Sequence, residues 1–263
     1  MSRAAARPSP ERTPAPRPAL RPIEPLTGAQ PNIVIINCDD LGYGDLGAYG
    51  ATAIATPNVD ALAVGGTRCT DFYSCNALCT PSRFGLLTGR YPDRVGLGWL
   101  ILPERVGPRE GTTNPPSDRA DRFWWHVARF VTSLHLMDYA PEPHIRGIPA
   151  DEITIADALR TAGYRTGMVG KWHLGEFPVH PEYNPVRHGF DFFFGVPHSN
   201  DMKDFALYCG EECVDPDFEA MERLTGLYTA EALDFIRQAA AAPGSPPFFL
   251  YFAHTYPHQP LHA

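Results

Sequence analysis

Ile33-Val34-Ile35-Ile36-Asn37-Cys38-Asp39-Asp40-Leu41-Gly42-Tyr43-Gly44-Asp45 is an apolar run that stops at a pair of carboxylates and a glycine-rich loop. Four consecutive β-branched residues, apolar on both alternating faces, suit a strand buried on both sides of a parallel sheet. Asp39 and Asp40 would then leave the carboxyl end of that strand, the edge at which open parallel sheets bind ligands. Two carboxylates forced together need a cation, and an oxygen-only pair favours Ca²⁺ or Mg²⁺ over softer metals. Taken alone, such a pair is more often a turn or a helix cap.

Outward from this stretch the pattern alternates. Thr56-Pro57 supplies an N-cap and an N1 proline for a helix through Val64, closed by Gly65-Gly66. A second helix starts after Cys79, with Pro81 in its first turn and Gly89 at its end. Thr154 and Asp157 form a capping box for a helix through Ala162, Gly163 ends it, and Thr166 to Val169 reads as the next strand. Tyr228 to Ala240 is an amphipathic helix, followed by the apolar strand Phe248 to Ala253. The alternation predicts an α/β fold. Lys171 and His173 follow one strand and His254 and His258 follow the last, so residues far apart in sequence are expected to share one site with Asp39 and Asp40.

Composition sets outer limits. The chain of 263 residues, 44% apolar and 20% charged, can bury the core of one large domain or two small ones. A net charge of −8 argues against nucleic-acid binding, so an anionic substrate must meet a local basic pocket. Residues 1–30, rich in Pro, Ala and Arg, read as a disordered tail with no secretory apolar run, and the compartment stays open. No transmembrane segment is expected: the best candidate, Phe123 to Met137, is short and carries His126, Arg129 and His135. Residues 98–149 read as an insertion, in which Trp124 and Trp125 either line a pocket for a ring or pack on a domain surface. Cys75/Cys79 and Cys209/Cys213 share a C-x3-C spacing that differs from the C-x2-C knuckles of zinc ribbons.

Cys79-Thr80-Pro81-Ser82-Arg83 places a cysteine at a helix N-terminus, where free N–H groups and the dipole favour negative charge, with Arg83 one turn on. This segment, continued by Leu86-Leu87-Thr88-Gly89-Arg90-Tyr91-Pro92, resembles the signature of the type I sulfatases, members of the alkaline phosphatase superfamily. Asn32 to Gly44 resembles that family's opening strand and metal loop, Gly170-Lys171-Trp172-His173-Leu174-Gly175 its second signature, and Pro257-His258-Gln259-Pro260 its later histidine motif. Gly195-Val196-Pro197-His198-Ser199-Asn200 is similar to arylsulfatases.

The resemblance implies an alkaline-phosphatase-like sandwich, a central mostly parallel sheet flanked by helices. It implies a sulfuric ester hydrolase in which a formylglycine-generating enzyme oxidises Cys79 to formylglycine. One hydroxyl of the hydrated aldehyde would attack sulfur and the other would then expel sulfate, an escape that a plain cysteine or serine lacks. Asp39, Asp40 and the modified Cys79 would hold Ca²⁺ (Mg²⁺ as second choice), and Arg83 the aldehyde hydrate. Lys171 and His173 would neutralise the sulfate and assist the diol, His258 would face the leaving oxygen, and Ser199 would be a further substrate contact. His180 and His254 gain no role from it and read as loop residues. The family's second Asp/Asn metal pair, another lysine and a small C-terminal domain find no match before Ala263. The expectation is therefore an incomplete sulfatase N-terminal catalytic domain over 31–263. Two other readings accompany it: an inactive truncated module, and a formylglycine-dependent phosphonate or phosphodiester hydrolase.

Overall fold

The structure is a computed structural model that describes residues 30–102, 146–202 and 205–262. Six strands form one sheet: β1 (Ile33–Asn37), β2 (Arg165–Lys171), β3 (Phe192–Val196), β4 (Leu207–Cys209), β5 (Glu212–Asp215) and β6 (Phe248–Ala253), in the order β1-β6-β2-β3-β4-β5. β6 runs parallel to both β1 and β2, and β2 parallel to β3. The hairpin β4–β5 closes the other edge antiparallel. The mostly parallel α/β sheet is thus as the alternation predicts.

β6 lies between two strands because Phe248 to Ala253 is apolar without alternation, and all its positions but Phe252 are buried. Phe249, Tyr251 and Ala253 point into one core with Met168, Trp172 and Phe190, together with Phe84 and Leu87 of helix α2 (Cys79–Thr88) and Ala156 of helix α3 (Ile155–Thr161). Phe248 and Leu250 point into the other, with Val169 and with Tyr228, Ala232 and Phe235 of helix α4 (Leu224–Ala239). Helices therefore cover both faces of the sheet centre. The boundaries follow local chemistry. Thr154 and Asp157 form the capping box that starts α3, and Gly89 ends α2 in the left-handed conformation, φ 66°. α4 begins at Leu224, a turn before the expected start, because the 3₁₀ turn Met221–Arg223 leads straight into it.

Two expectations change, and the doubt about a zinc site at Cys209 and Cys213 is upheld. β1 is an edge strand and is not buried on both sides: Val34 is 44% and Ile36 59% exposed, because α4 packs over β2, β3 and β6 only. Thr56 does not cap helix α1 (Pro57–Gly65); its hydroxyl accepts from Gly47 N at 2.9 Å and donates to Asp60 Oδ1 at 3.0 Å. Cys213 pairs with Tyr208 and Cys209 with Glu212, so the two cysteines face opposite sides of the hairpin and share no metal. Residues 1–29 of the expected tail and 103–145 of the expected insertion, with Phe123 to Met137, lie outside the described residues. No described helix is long and apolar enough to cross a membrane.

Candidate active site

The carboxyl ends of β1, β2 and β6 and the N-terminus of α2 meet at one edge of the sheet. Lys171, the last residue of β2, is fully buried. Its Nζ donates to Asp39 Oδ2 at 2.5 Å and to Ser199 Oγ at 3.0 Å. Arg83, equally buried, donates from Nη1 to the Lys171 carbonyl at 2.5 Å and holds Nη2 3.5 Å from Asp39 Oδ2. Burial works against the Asp39 charge, yet Arg83 and Lys171 outweigh it and hold its carboxyl below the ordinary range. A buried ammonium is tolerated only beside such a counter-ion. Gly170 makes this packing feasible: it has φ +114°, and a Cβ there would come within 2.0 Å of the Ala253 carbonyl on β6.

Cys79 is the first residue of α2, as the sequence suggests. Its donor atom, one of Asp39 and one of His258 lie within 4.8 Å of one another. The expected pull toward a thiolate is overridden: burial, with Asp39 nearby, pushes the Cys79 thiol up, although Lys171 and Arg83 act in the opposite sense. Asp40 stands at φ 62°, a left-handed conformation that non-glycine residues rarely adopt and that clusters at functional sites. His258 Nε2 lies 3.7 Å from Asp40 Oδ2 and 3.5 Å from Ser199 Oγ. A cavity of about 480 Å³ opens here, lined by Asp39, Asp40, Cys79 and Arg83 and, opposite them, by Phe72 and Tyr73.

His173 also has a left-handed backbone, φ 57°, and sits one layer back. Its Nε2 is 3.0 Å from the Ile101 carbonyl. A carbonyl only accepts, so Nε2 carries the proton and Nδ1 is bare. Burial first, then Lys171, His198 and Arg83, hold its pKa well below the usual imidazole value, so the ring is neutral. Among the residues read as loop, His254 accepts from Tyr256 N at 2.9 Å and belongs to the turn after β6. The structure adds residues that sequence reasoning passed over. Asn200 ties down the histidine loop through bonds to the His258 and Pro260 carbonyls at 3.1 and 2.9 Å. Tyr251 on β6 is fully buried beside Arg83. Asn200 adjoins Ser199 and could have been noted; the place of Tyr251 depends on how β6 packs against α2.

The sulfatase family profile matches residues 31–263. The chain belongs to the sulfatase family. It is 38% identical over 249 residues to N-acetylgalactosamine-6-sulfatase of Rattus norvegicus, covering 89% of this chain and 40% of that protein. It is 37% identical over 254 residues to arylsulfatase A of Bos taurus, covering 88% of this chain and 42% of that protein. The crystal structure of Ps i-CgsB superposes with a TM-score of 0.65 at 29% identity, over 89% of this chain and 47% of that one. The sulfatase chain described here thus spans less than half the length of these relatives, and the alkaline-phosphatase-like fold expected from the motifs is the fold it shares with them.

Proposed function

We propose that this sulfatase chain carries the nucleophile and anion-binding half of a sulfate monoester hydrolase in which Cys79 is converted to formylglycine. The observation that carries the reading is the buried Lys171–Asp39–Arg83 cluster beside Cys79, fixed cationic charge next to the first residue of a helix. Such preorganised charge is what a transferring sulfuryl group requires.

The donor set also supports a cation. Asp39 offers a hard oxygen and His258 an imidazole nitrogen beside the soft sulfur of Cys79 as encoded, and Asp40 adds a second carboxylate 3.7 Å from His258. Conversion to the aldehyde hydrate would replace that sulfur by oxygen and make the set one suited to Ca²⁺ or Mg²⁺. When present, the cation would neutralise developing negative charge, and the hydrated aldehyde would supply two hydroxyls, one to accept the sulfuryl group and one to release sulfate. Arg83 and Lys171 would hold the sulfuryl oxygens and His173 Nδ1 would accept a diol proton. His258 donates Nδ1–H to the Gln259 carbonyl at 2.6 Å, so its Nε2, between Asp40 and Ser199, would face the leaving oxygen and could give it a proton only from the doubly protonated ring. The substrates to test first are an aryl sulfate and a 6-sulfated N-acetylgalactosamine, the alcohol classes in the names of the two mammalian relatives.

The test is peptide mass spectrometry across Cys79 after co-expression with a formylglycine-generating enzyme, paired with turnover of 4-nitrophenyl sulfate after chelation and after Ca²⁺ is restored. Conversion with Ca²⁺-dependent turnover is expected. An unmodified Cys79 in that co-expression overturns the nucleophile assignment; conversion without turnover would make the chain an inactive module.

A further inference from the structure

Behind His173 lies a second buried imidazole with no part in the chemistry above. His198 follows β3, is 4% exposed, and neither of its ring nitrogens has a hydrogen-bond partner. Its Nε2 lies 3.8 Å from Oε1 of Glu176, which is itself 5% exposed. Its ring meets the His173 ring at 6.1 Å and 81°, edge to face. The two histidine segments are tied together by bonds from Trp172 N to the Val196 carbonyl at 3.0 Å and from His173 N to the Pro197 carbonyl at 2.9 Å. A position that needed only packing would be filled at lower cost by phenylalanine, since burying an unsatisfied polar group costs about 1–3 kcal/mol.

Building on the function proposed for this site, we infer that Glu176 and His198 act as a positioning pair for His173, fixing its ring so that Nε2–H donates to Ile101 and Nδ1 stays a bare acceptor. Glu176 Oε1, 3.8 Å from His198 Nε2, is the carboxylate that a proton on that nitrogen would face, and this charge-assisted approach would set the plane of the His198 ring. The edge-to-face contact passes the constraint to His173. Without it, a half-turn of the His173 ring about χ2 brings a carbon to the Ile101 carbonyl and moves Nδ1 away. The other charged groups acting on His173 are Lys171 and Arg83, and both disfavour a second proton on the ring. Glu176 has further contacts, with Tyr208 among its neighbours, so its place does not depend on His198 alone.

Two substitutions cut the pair from opposite ends. His198→Phe keeps an aromatic edge against His173 but removes the donor to Glu176, and Glu176→Ala removes the acceptor. ¹⁵N-histidine spectra of the whole folded chain read the tautomer of His173 directly, with or without turnover. The wild type should show one form, protonated at Nε2, and each variant a mixture, with backbone amides elsewhere unmoved. In the converted enzyme each should lower kcat about 10- to 100-fold at constant KM, the scale on which misplacing a catalytic group is felt. Neither should lower it further in a His173→Ala background. Unchanged His173 signals in both variants, or losses that add to that of His173→Ala, overturn the proposal. If either variant fails to fold, Glu176→Gln should shift the same signals by a smaller amount. A converted wild type with no turnover counts against the sulfatase reading, and the imidazole spectra still decide the positioning pair.

Discussion

The centre of the sheet and its β1 edge are built differently. At the centre, β6 buries every residue but Phe252, and α4 buries Tyr228, Ala232, Phe235 and Ala239 against it. At the edge, β1 has no buried residue, α1 has none, and Val34, Ile36, Leu62, Val64, Phe72 and Tyr73 are exposed. The candidate site lies on the seam between them. Its cations and its nucleophile position come from the closed side, Lys171 from β2, and Cys79 and Arg83 from α2, whose Phe84 and Leu87 are core residues. The carboxylates Asp39 and Asp40 come from the open side. In the proposed function, the groups that would bind an anion without reorganising thus stand on the more deeply packed side, in keeping with catalysis by preorganised charge.

The comparison can be broken or sharpened by substitution. The largest effect belongs to chemistry alone: Cys79→Ala should reduce turnover of the converted enzyme by about 10³-fold or more. Thermal melting of the same half-buried variant should barely move, which would show that the seam serves chemistry at little structural cost. Asp39→Asn should be the most damaging change to the fold at the seam, since it strands Lys171 and Arg83 as buried charges. A loss of about 3–5 kcal/mol in urea unfolding is expected.

That contribution has a definite pH window. Because the folded pKa of Asp39 is depressed, its stabilisation is complete above the ordinary carboxylate value of about 4 and is lost as pH falls through the lower folded value. The gap between wild type and Asp39→Asn in acid titrations of Tm should therefore close below about pH 4, and a gap that stayed constant would refute the pairing.

Within the closed half, Phe249→Ala should cost about 3–5 kcal/mol by chemical denaturation, for a large side chain removed from a packed core. Thr154→Ala, which removes the side-chain cap of α3, should cost about 1 kcal/mol in the same assay. Ile36→Thr on the open edge should change stability by less than about 0.5 kcal/mol. If Ile36→Thr proved as costly as Phe249→Ala, the contrast between the two halves would fail.

Much of the centre could be read in advance because local signals agree there. Unbroken apolar runs read as strands of a packed sheet, as β6 is, and Thr154 with Asp157 marks the start of α3 to the residue. The same rule misread β1, whose composition is just as apolar, because burial depends on what packs over a strand and α4 does not extend that far. In the site, Cys79, Arg83, Lys171, His258 and the two aspartates carried signals in their motifs and strand ends. His198 lay inside the quoted segment Gly195 to Asn200 but drew no role from it, and Glu176 carried no signal, since a glutamate after a glycine is ordinary in any loop.

Sequence by itself determined the α/β alternation, the placing of Cys79 at a helix start, and the family to which the chain belongs. The first two depend on dihedral preference, capping and periodicity, all properties of neighbouring residues, and the family on its ordered motifs. Only the tertiary structure decided that one Asp39 oxygen faces both Lys171 and Arg83, that burial pushes the Cys79 thiol up, and that β1 is open on one face. The physical reason is desolvation: the charge state of a buried group depends on which distant segments exclude water from it, and no local stretch of chain specifies them.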